Sequence, residues 1–136
     1  MQKGVILAFM TVLPATALVA AQPSALANVA GGLWEISGAP GMHAPVRQCV
    51  GNVLALAQYE HRGRNCSRSV ISDNGSATKI NYKCGPAGFG ETELEVITPR
   101  SLRISTQGIS DQQPFNYVLQ ARRVGECTKA PASAPH

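Results

Sequence analysis

The chain has 136 residues and a formal net charge of +4, and only 15% of its residues are charged. This length suits a single domain and excludes a large multidomain enzyme. Thirteen glycines and nine prolines interrupt the chain often, which argues against a bundle of long helices. With three Phe, three Tyr and one Trp, the core has to be built mainly from aliphatic side chains.

The first 27 residues have the organisation of a secretory signal peptide. Lys3 precedes an apolar stretch at 5–21, and Ala25-Leu26-Ala27 fits the small-x-small pattern that predicts cleavage after Ala27. A membrane anchor is the alternative, but Pro14 lies inside the stretch, which is barely long enough to span a bilayer. We therefore expect residues 1–27 to be removed, leaving a periplasmic or secreted protein with no stable membrane anchor.

All four cysteines lie in the exported part of the chain. An even number in an exported chain of this size predicts two disulfides. A zinc site is the alternative, but it requires close pairs such as C-x-x-C, and the cysteines are separated by 17, 18 and 43 positions. We therefore predict no metal site and no cofactor. The cysteines are Cys49, Cys66, Cys84 and Cys127.

The charge of the exported part does not favour nucleic-acid binding. Because Lys3 is the only charged residue before position 28, the remaining net charge is +3. Arg62, Arg64 and Arg68 form the only basic cluster, with Tyr59 and His61 as the nearest rings. A nucleic-acid surface interleaves more aromatic and basic residues than this, so we interpret the cluster as a solvated loop and expect no nucleic-acid partner.

After residue 28 the apolar residues alternate with polar ones, which predicts strands. Asn52 is a suitable N-cap for one short helix over 52–58, and Asn74-Gly75 between two alternating runs is a strong hairpin signal. The predicted strands, in chain order, are 33–36, 44–50, 66–72, 77–84, 89–97, 102–106 and 115–125.

About seven short strands in sequence-neighbour order predict an all-β fold. We expect an antiparallel meander that closes into a small barrel or a strongly curved sheet, because either arrangement protects the edges. The helix lies between strands two and three. The predicted domain covers residues 28–127, and the Ala- and Pro-rich tail at 128–136 is predicted to be disordered.

The predicted strands also favour one disulfide pairing. A three-residue loop centred on Gly75 places Cys66 opposite Cys84, and pairing of the first and last strands brings Cys49 and Cys127 to one end. The alternative, Cys49–Cys66 with Cys84–Cys127, stays open because spacing alone does not select a connectivity.

One predicted strand carries three acidic residues on the same face. Glu91, Glu93 and Glu95 alternate with apolar positions, and the turn at Pro99-Arg100 places Glu95 near Arg103. Paired carboxylates could serve acid–base chemistry or bind a cation. A solvated strand face with a cross-strand ion pair is far more common, and we expect that arrangement here.

Two short motifs mark the ends of the predicted domain. The motif residues are Gly32, Leu33, Trp34 and Glu35 at the start, and Arg122, Arg123, Gly125 and Cys127 at the end. With these motifs the chain resembles a family of bacterial exported proteins grouped as "domain of unknown function 3617". The likeness covers roughly residues 31–127, with Ala121 where the family usually has glycine and a shorter segment before Cys49. It implies an exported, periplasmic protein of a Gram-negative bacterium and a domain boundary, but no activity.

These motif residues also have structural interpretations. Arg122 and Arg123 are adjacent in a strand, so they point to opposite faces, and either can pair with Glu35 or Glu126. Gly125 is expected to supply backbone freedom before the last cysteine. Trp34, the only tryptophan, is expected in the core or plugging a barrel end, or lining a ligand cavity.

The sequence contains no enzyme signature of the G-x-S-x-G, H-E-x-x-H or phosphate-loop type. We expect a non-enzymatic domain that binds a small apolar ligand, an envelope component or a protein partner, with a cavity lined by Trp34, Phe115 and Tyr117. A structural or stress-related envelope protein without a pocket is the first alternative. An enzyme with an unrecognised site, using Glu91, Glu93 or Arg122, is the second.

Overall fold

The computed structural model describes residues 11–15 and 22–128. Most of the predicted signal peptide and all but the first residue of the predicted disordered tail lie outside these ranges. The described residues 11–15 are exposed and carry no regular secondary structure.

Within these ranges, seven strands and three 3-10 segments make up the fold. The predicted number of strands, and a helix between the second and third, are confirmed. The strands are β1 (Gly32–Ser37), β2 (Val46–Val50), β3 (Ser67–Asp73), β4 (Ala77–Lys83), β5 (Gly88–Thr98), β6 (Ser101–Ser110) and β7 (Gln113–Gly125). The 3-10 segments are the N-terminal turn (Ser24–Leu26), the connecting helix (Val53–His61) and a turn at Gly85–Ala87.

All seven strands belong to one antiparallel sheet in the order β2-β1-β7-β6-β5-β4-β3. The first and last strands pair, which is the condition on which the favoured disulfide pairing depends. The sheet does not close into a barrel, so the barrel alternative of the prediction is wrong. The physical reason is the connecting helix. It leaves β2 at one edge, packs on β4, β5 and β6, and delivers the chain to β3 at the other edge.

The connecting helix begins at a capping residue and is held to the sheet by a buried hydrogen bond. The side chain of Asn52 accepts from the backbone N–H of Leu54 at 2.9 Å, which is the predicted N-cap. Gln58 has non-helical dihedral angles, so the segment is kinked there. The hydroxyl of Thr92 on β5 donates to the carbonyl of Ala57. The helix therefore covers the centre of the sheet.

The core lies between this helix and one face of the sheet. Alternate residues of each central strand point inward, as the period-two pattern requires. The fully buried side chains include Trp34 and Ile36 of β1, Ile80 of β4, Leu94 of β5, Leu102 and Ile104 of β6, Leu119 of β7, and Val53 and Leu56 of the connecting helix. The inner layer is mainly aliphatic, as the composition predicts, although it also buries aromatic residues such as Trp34 and Tyr82 and the threonines Thr78 and Thr92.

Most of the opposite face is polar, and it carries cross-strand ion pairs. Arg103 lies 3.9 Å from Glu95, which confirms the predicted neighbours, and Lys79 lies 3.6 Å from Glu91. Both pairs are substantially exposed, so their contribution to stability is small. The acidic strand face is a solvated surface.

The two disulfides are Cys49–Cys127 and Cys66–Cys84, the favoured pairing. The loop at 74–76 has three residues, with Gly75 at a φ of +88°. The side chain of Asn74 accepts from the backbone N–H of Ser76 and Ala77. Cys66–Cys84 fixes the start of edge strand β3 to the end of β4, and Cys49–Cys127 fixes edge strand β2 to the residues after β7. Each edge strand of the sheet is therefore linked covalently to a neighbouring part of the domain by a disulfide.

The motif residues at both ends of the domain meet where β1 pairs with β7. Glu35 pairs with Arg122 at 3.2 Å and with Arg47 at 3.4 Å on the exposed face. Arg123 points to the other face, where its Nε donates to the carbonyl of Gly31 at 2.8 Å and its Nη2 to Glu126 at 2.6 Å. These contacts are structural.

Glycine is required at a different motif position from the one expected. Gly125 has no positive φ and has room for a Cβ, so the expectation of backbone freedom there is wrong. Gly32 has a φ of +147°, and a Cβ on it would lie 2.6 Å from Nε of Arg123. The crowding around the arginine therefore explains the first glycine of the opening motif.

Candidate functional site

An apolar depression lies on the exposed face of the sheet at the end formed by β4, β5, β6 and β7. We call it the outer groove. Its walls are Phe89 on β5, Ile109 on β6 and Pro114 on β7. Phe89 is directly opposite Ile109, and Ile109 is directly opposite Pro114, so three neighbouring strands contribute one wall residue each. The side chain of Phe89 is 53% exposed, which is high for a large apolar residue.

The floor of the outer groove is backbone. Gly90 and Gly108 face each other across β5 and β6, and neither carries a side chain. On the core side, the ring of Tyr82 fills the space below Gly90, because a Cβ on that glycine would lie 2.6 Å from the ring. Phe115 approaches Gly108 from the same side. Because neither glycine has a side chain, these two rings can lie directly beneath the floor of the groove.

Tyr82 is fixed in this position by the connecting helix. Its hydroxyl lies 3.0 Å from Nδ1 of His61, and Nε2 of the same histidine lies 3.0 Å from the carbonyl of Ala87. Because a carbonyl only accepts, Nε2 carries the proton, and in the neutral ring Nδ1 accepts from the Tyr82 hydroxyl. Burial raises the pKa of Tyr82 to about 12, so the phenol stays neutral and acts as a hydrogen-bond donor.

The rim of the outer groove is polar. The volume is about 650 Å³, within the range of small-molecule sites. Glu91 on the rim is paired with Lys79, whereas Lys83 makes no ion pair within the described part of the chain. The rim residues are Asn81, Lys83, Glu91, Gln107 and Asn116. An apolar bed with a polar rim suits a ligand that has an apolar body and one polar end.

The structure brings together two of the three residues predicted to line a cavity. Phe115 lies at the outer groove, and its ring centroid is 5.9 Å from that of Tyr117. Trp34 is completely buried in the core and contributes to none of the described depressions. Its Nε1 has no hydrogen-bond partner among the described residues. Trp34 is a core residue in this fold.

Tyr117 and Phe115 also line a second, more polar depression of about 870 Å³ beside the loop after β1. The Tyr117 hydroxyl donates to Glu60 at 2.7 Å. Burial raises the pKa of Tyr117, and the hydrogen bond and charge of Glu60 raise it further. The pair is therefore a neutral phenol that donates to a carboxylate on the wall of this depression.

The described residues offer no group of three or more His, Cys, Asp or Glu side chains placed to hold a metal ion. The acidic residues of β5 are spread along a solvated face. Two of them are paired with Lys79 and Arg103. Neither depression contains an arrangement of nucleophile, base and orienting group.

The walls of the outer groove were missed from the sequence, although a signal for them exists. Phe89 has the same strand phase as Glu91, Glu93 and Glu95, and Ile109 the same phase as Arg103, Ser105 and Gln107. Each is an apolar residue at a position where the other side chains of its strand are polar and point outward. The register then places the two directly opposite each other. An apolar pair in the outward phase indicates an exposed apolar surface.

No family model, no curated protein and no solved structure matches this chain. Two disulfides fit an oxidising, extracytoplasmic environment. Within the ranges that the structure describes, none of the helices is both long and apolar enough to span a membrane.

Proposed function

We propose that this chain is a non-enzymatic, periplasmic β domain that binds a small ligand with an apolar body in the outer groove. The exposed ring of Phe89, opposite Ile109 over a glycine floor, is the observation that supports the proposal most directly. Small-molecule sites are concave and mostly apolar with a few polar groups, and the outer groove fits this description. The family resemblance also remains part of the proposal: we infer that the chain is a member of the domain of unknown function 3617 group.

The rest of the site supports binding over catalysis. The groove is shaped by backbone and by rings held from behind through His61 and Tyr82, so it is preformed. Preformed apolar surface gives affinity without the cost of ordering the site. Of the ionisable rim groups, Glu91 is held in an ion pair with Lys79, and Lys83 is exposed to solvent. An envelope lipid, a metabolite or the apolar side chain of a protein partner would all satisfy this chemistry.

We predict that Phe89→Ser weakens binding of the dye 8-anilinonaphthalene-1-sulfonate by about tenfold, because it removes the largest wall of the groove. The dye has an aromatic body and an anionic end that Lys83 can meet. Fluorescence titration of the folded protein measures the dissociation constant. Urea unfolding checks that the variant remains folded.

Val118→Ser is the matched control. Val118 lies on the same face of β7, is 37% exposed and is not a lining residue of the groove. We expect its dye affinity to equal that of the unchanged protein. Equal affinities in all three proteins, or no saturable binding by the unchanged protein, would contradict the proposed site and favour a structural envelope protein.

A further inference from the structure

The N-terminal turn belongs to the folded domain, although the predicted cleavage after Ala27 would remove it. Leu26 is completely buried and is part of the main hydrophobic core, and Ala25 is 6% exposed. The turn packs on β4 and β5. Val29, which follows it, is also buried. The core of the domain therefore begins before residue 28.

Hydrogen bonds fix the same segment to the far edge of the sheet. Asp73, at the end of β3, accepts from the backbone N–H of Ser24 at 2.6 Å and of Ala25 at 3.0 Å. The backbone N–H of Ala25, with the hydroxyl and N–H of Ser24, lowers the pKa of Asp73, so the carboxylate is ionised at neutral pH. Gln22 donates from its side chain to the carbonyl of Leu26 at 2.9 Å. Residues from Gln22 onward are thus part of this arrangement.

A mature chain starting at Asn28 would lose these contacts. The space filled by Leu26 would be empty, and a cavity of that kind in a core is costly. Asp73 would lose both backbone donors. A mature chain starting at Gln22 keeps all of these contacts, including the hydrogen bond from Gln22 to Leu26.

We propose that the leader is removed by hydrolysis of the peptide bond before Gln22, so that the mature chain starts at Gln22. Val19-Ala20-Ala21 supplies compact side chains at the two positions that a signal peptidase recognises. Water adds across the bond, leaving a carboxylate on Ala21 and an amine on Gln22. The proposal depends on export of the chain but not on the outer groove.

N-terminal sequencing and intact mass of the full precursor, expressed in a Gram-negative host and purified from the periplasm, test the assignment. We expect the chain to start at Gln22, with its amine free or cyclised onto its own side chain with loss of ammonia. A chain starting at Asn28, at Leu18 or at Met1 would overturn the proposal.

Two matched variants locate the bond independently. Ala21→Leu should abolish the Gln22 terminus, because a large residue then precedes the bond. Ala27→Leu should leave that terminus unchanged, since Ala27 is exposed and lies downstream. The reverse result would place the cleavage after Ala27 and overturn the proposal.

A stability comparison tests the packing on which the boundary rests. In the mature chain, Leu26→Ser should lower the urea midpoint clearly, whereas Ala27→Ser should leave it unchanged. Identical midpoints for the two variants would show that the turn does not stabilise the domain, which would remove the reason for starting the mature chain at Gln22.

Discussion

Replacing Cys49 and Cys127 together by serine is expected to lower the free energy of unfolding by about 4 kcal/mol. The bridge closes a long loop, because the two cysteines are 78 positions apart. In the chain-entropy description, a cross-link stabilises mainly by restricting the unfolded chain, and the effect grows with loop length. The bridge also fixes edge strand β2, which among the described residues pairs with β1 alone.

The second disulfide is the matched control for this prediction. Cys66 and Cys84 are 18 positions apart, so their replacement by serine should cost less, about 3 kcal/mol. Urea unfolding of the two double variants, at equal protein concentration, gives both free energies. If removing Cys49–Cys127 lowered the free energy of unfolding by less than about 1 kcal/mol, the stabilising role of this bridge would be contradicted.

Trp34→Ala is expected to cost about 4 kcal/mol, because it removes the largest fully buried side chain of the domain. Trp34→Phe should cost less. It keeps an aromatic ring in the core, and the indole Nε1 that it removes has no hydrogen-bond partner among the described residues. Urea unfolding of both variants measures these differences.

Dye titration of Trp34→Phe then separates a core residue from a ligand-binding one. Because Trp34 lies outside the outer groove, the folded variant should bind 8-anilinonaphthalene-1-sulfonate as well as the unchanged protein. Phe89→Ser should show the opposite behaviour, with weaker binding and an almost unchanged stability. If the Trp34→Phe protein were folded but bound the dye more weakly, Trp34 would have to be part of the ligand site.

Local features of the fold could be predicted from the sequence because each has a short-range cause. Alternation identifies the strands, Asn74-Gly75 fixes a hairpin, and that hairpin places Cys66 opposite Cys84. The neighbours Glu95 and Arg103 follow from the next turn in the same way. These contacts depend on residues less than 20 positions apart.

The open sheet could not be predicted in the same way. Whether β2 pairs with β3 or the connecting helix lies between them depends on which arrangement buries more apolar surface, and alternation within a strand does not report this. The apolar residues of the helix, such as Val53 and Leu56, fit a short capping helix equally well. The structure shows them packed in the core of the sheet.

The boundary of the domain was hidden for a related reason. Ala25-Leu26-Ala27 is a short run of small and apolar residues beside an apolar leader, so its composition does not distinguish a recognition sequence from a packed turn. The contacts of Leu26 with the core and of Asp73 with the turn show that this segment packs on the domain, which is the basis of the proposed start at Gln22.

One part of the outer groove could be predicted from the sequence, and the other part depends on contacts that only the structure shows. The outward phase of Phe89 and Ile109 can be read from the sequence, but their meeting depends on the register of β5 and β6. The floor depends on Gly90 and Gly108 being opposite each other, with Tyr82 held beneath by His61. A site built on neighbouring strands and supported from the core is rigid, and rigidity favours recognition of a small ligand.

Native mass spectrometry of the protein taken directly from its own cell envelope tests the proposed binding function most directly. The unchanged protein should carry a non-protein mass of small-molecule size, and Phe89→Ser, purified in parallel, should have lost it. Val118→Ser should retain it. An unchanged protein without any bound mass, or the same mass on Phe89→Ser, would contradict a ligand site in the outer groove.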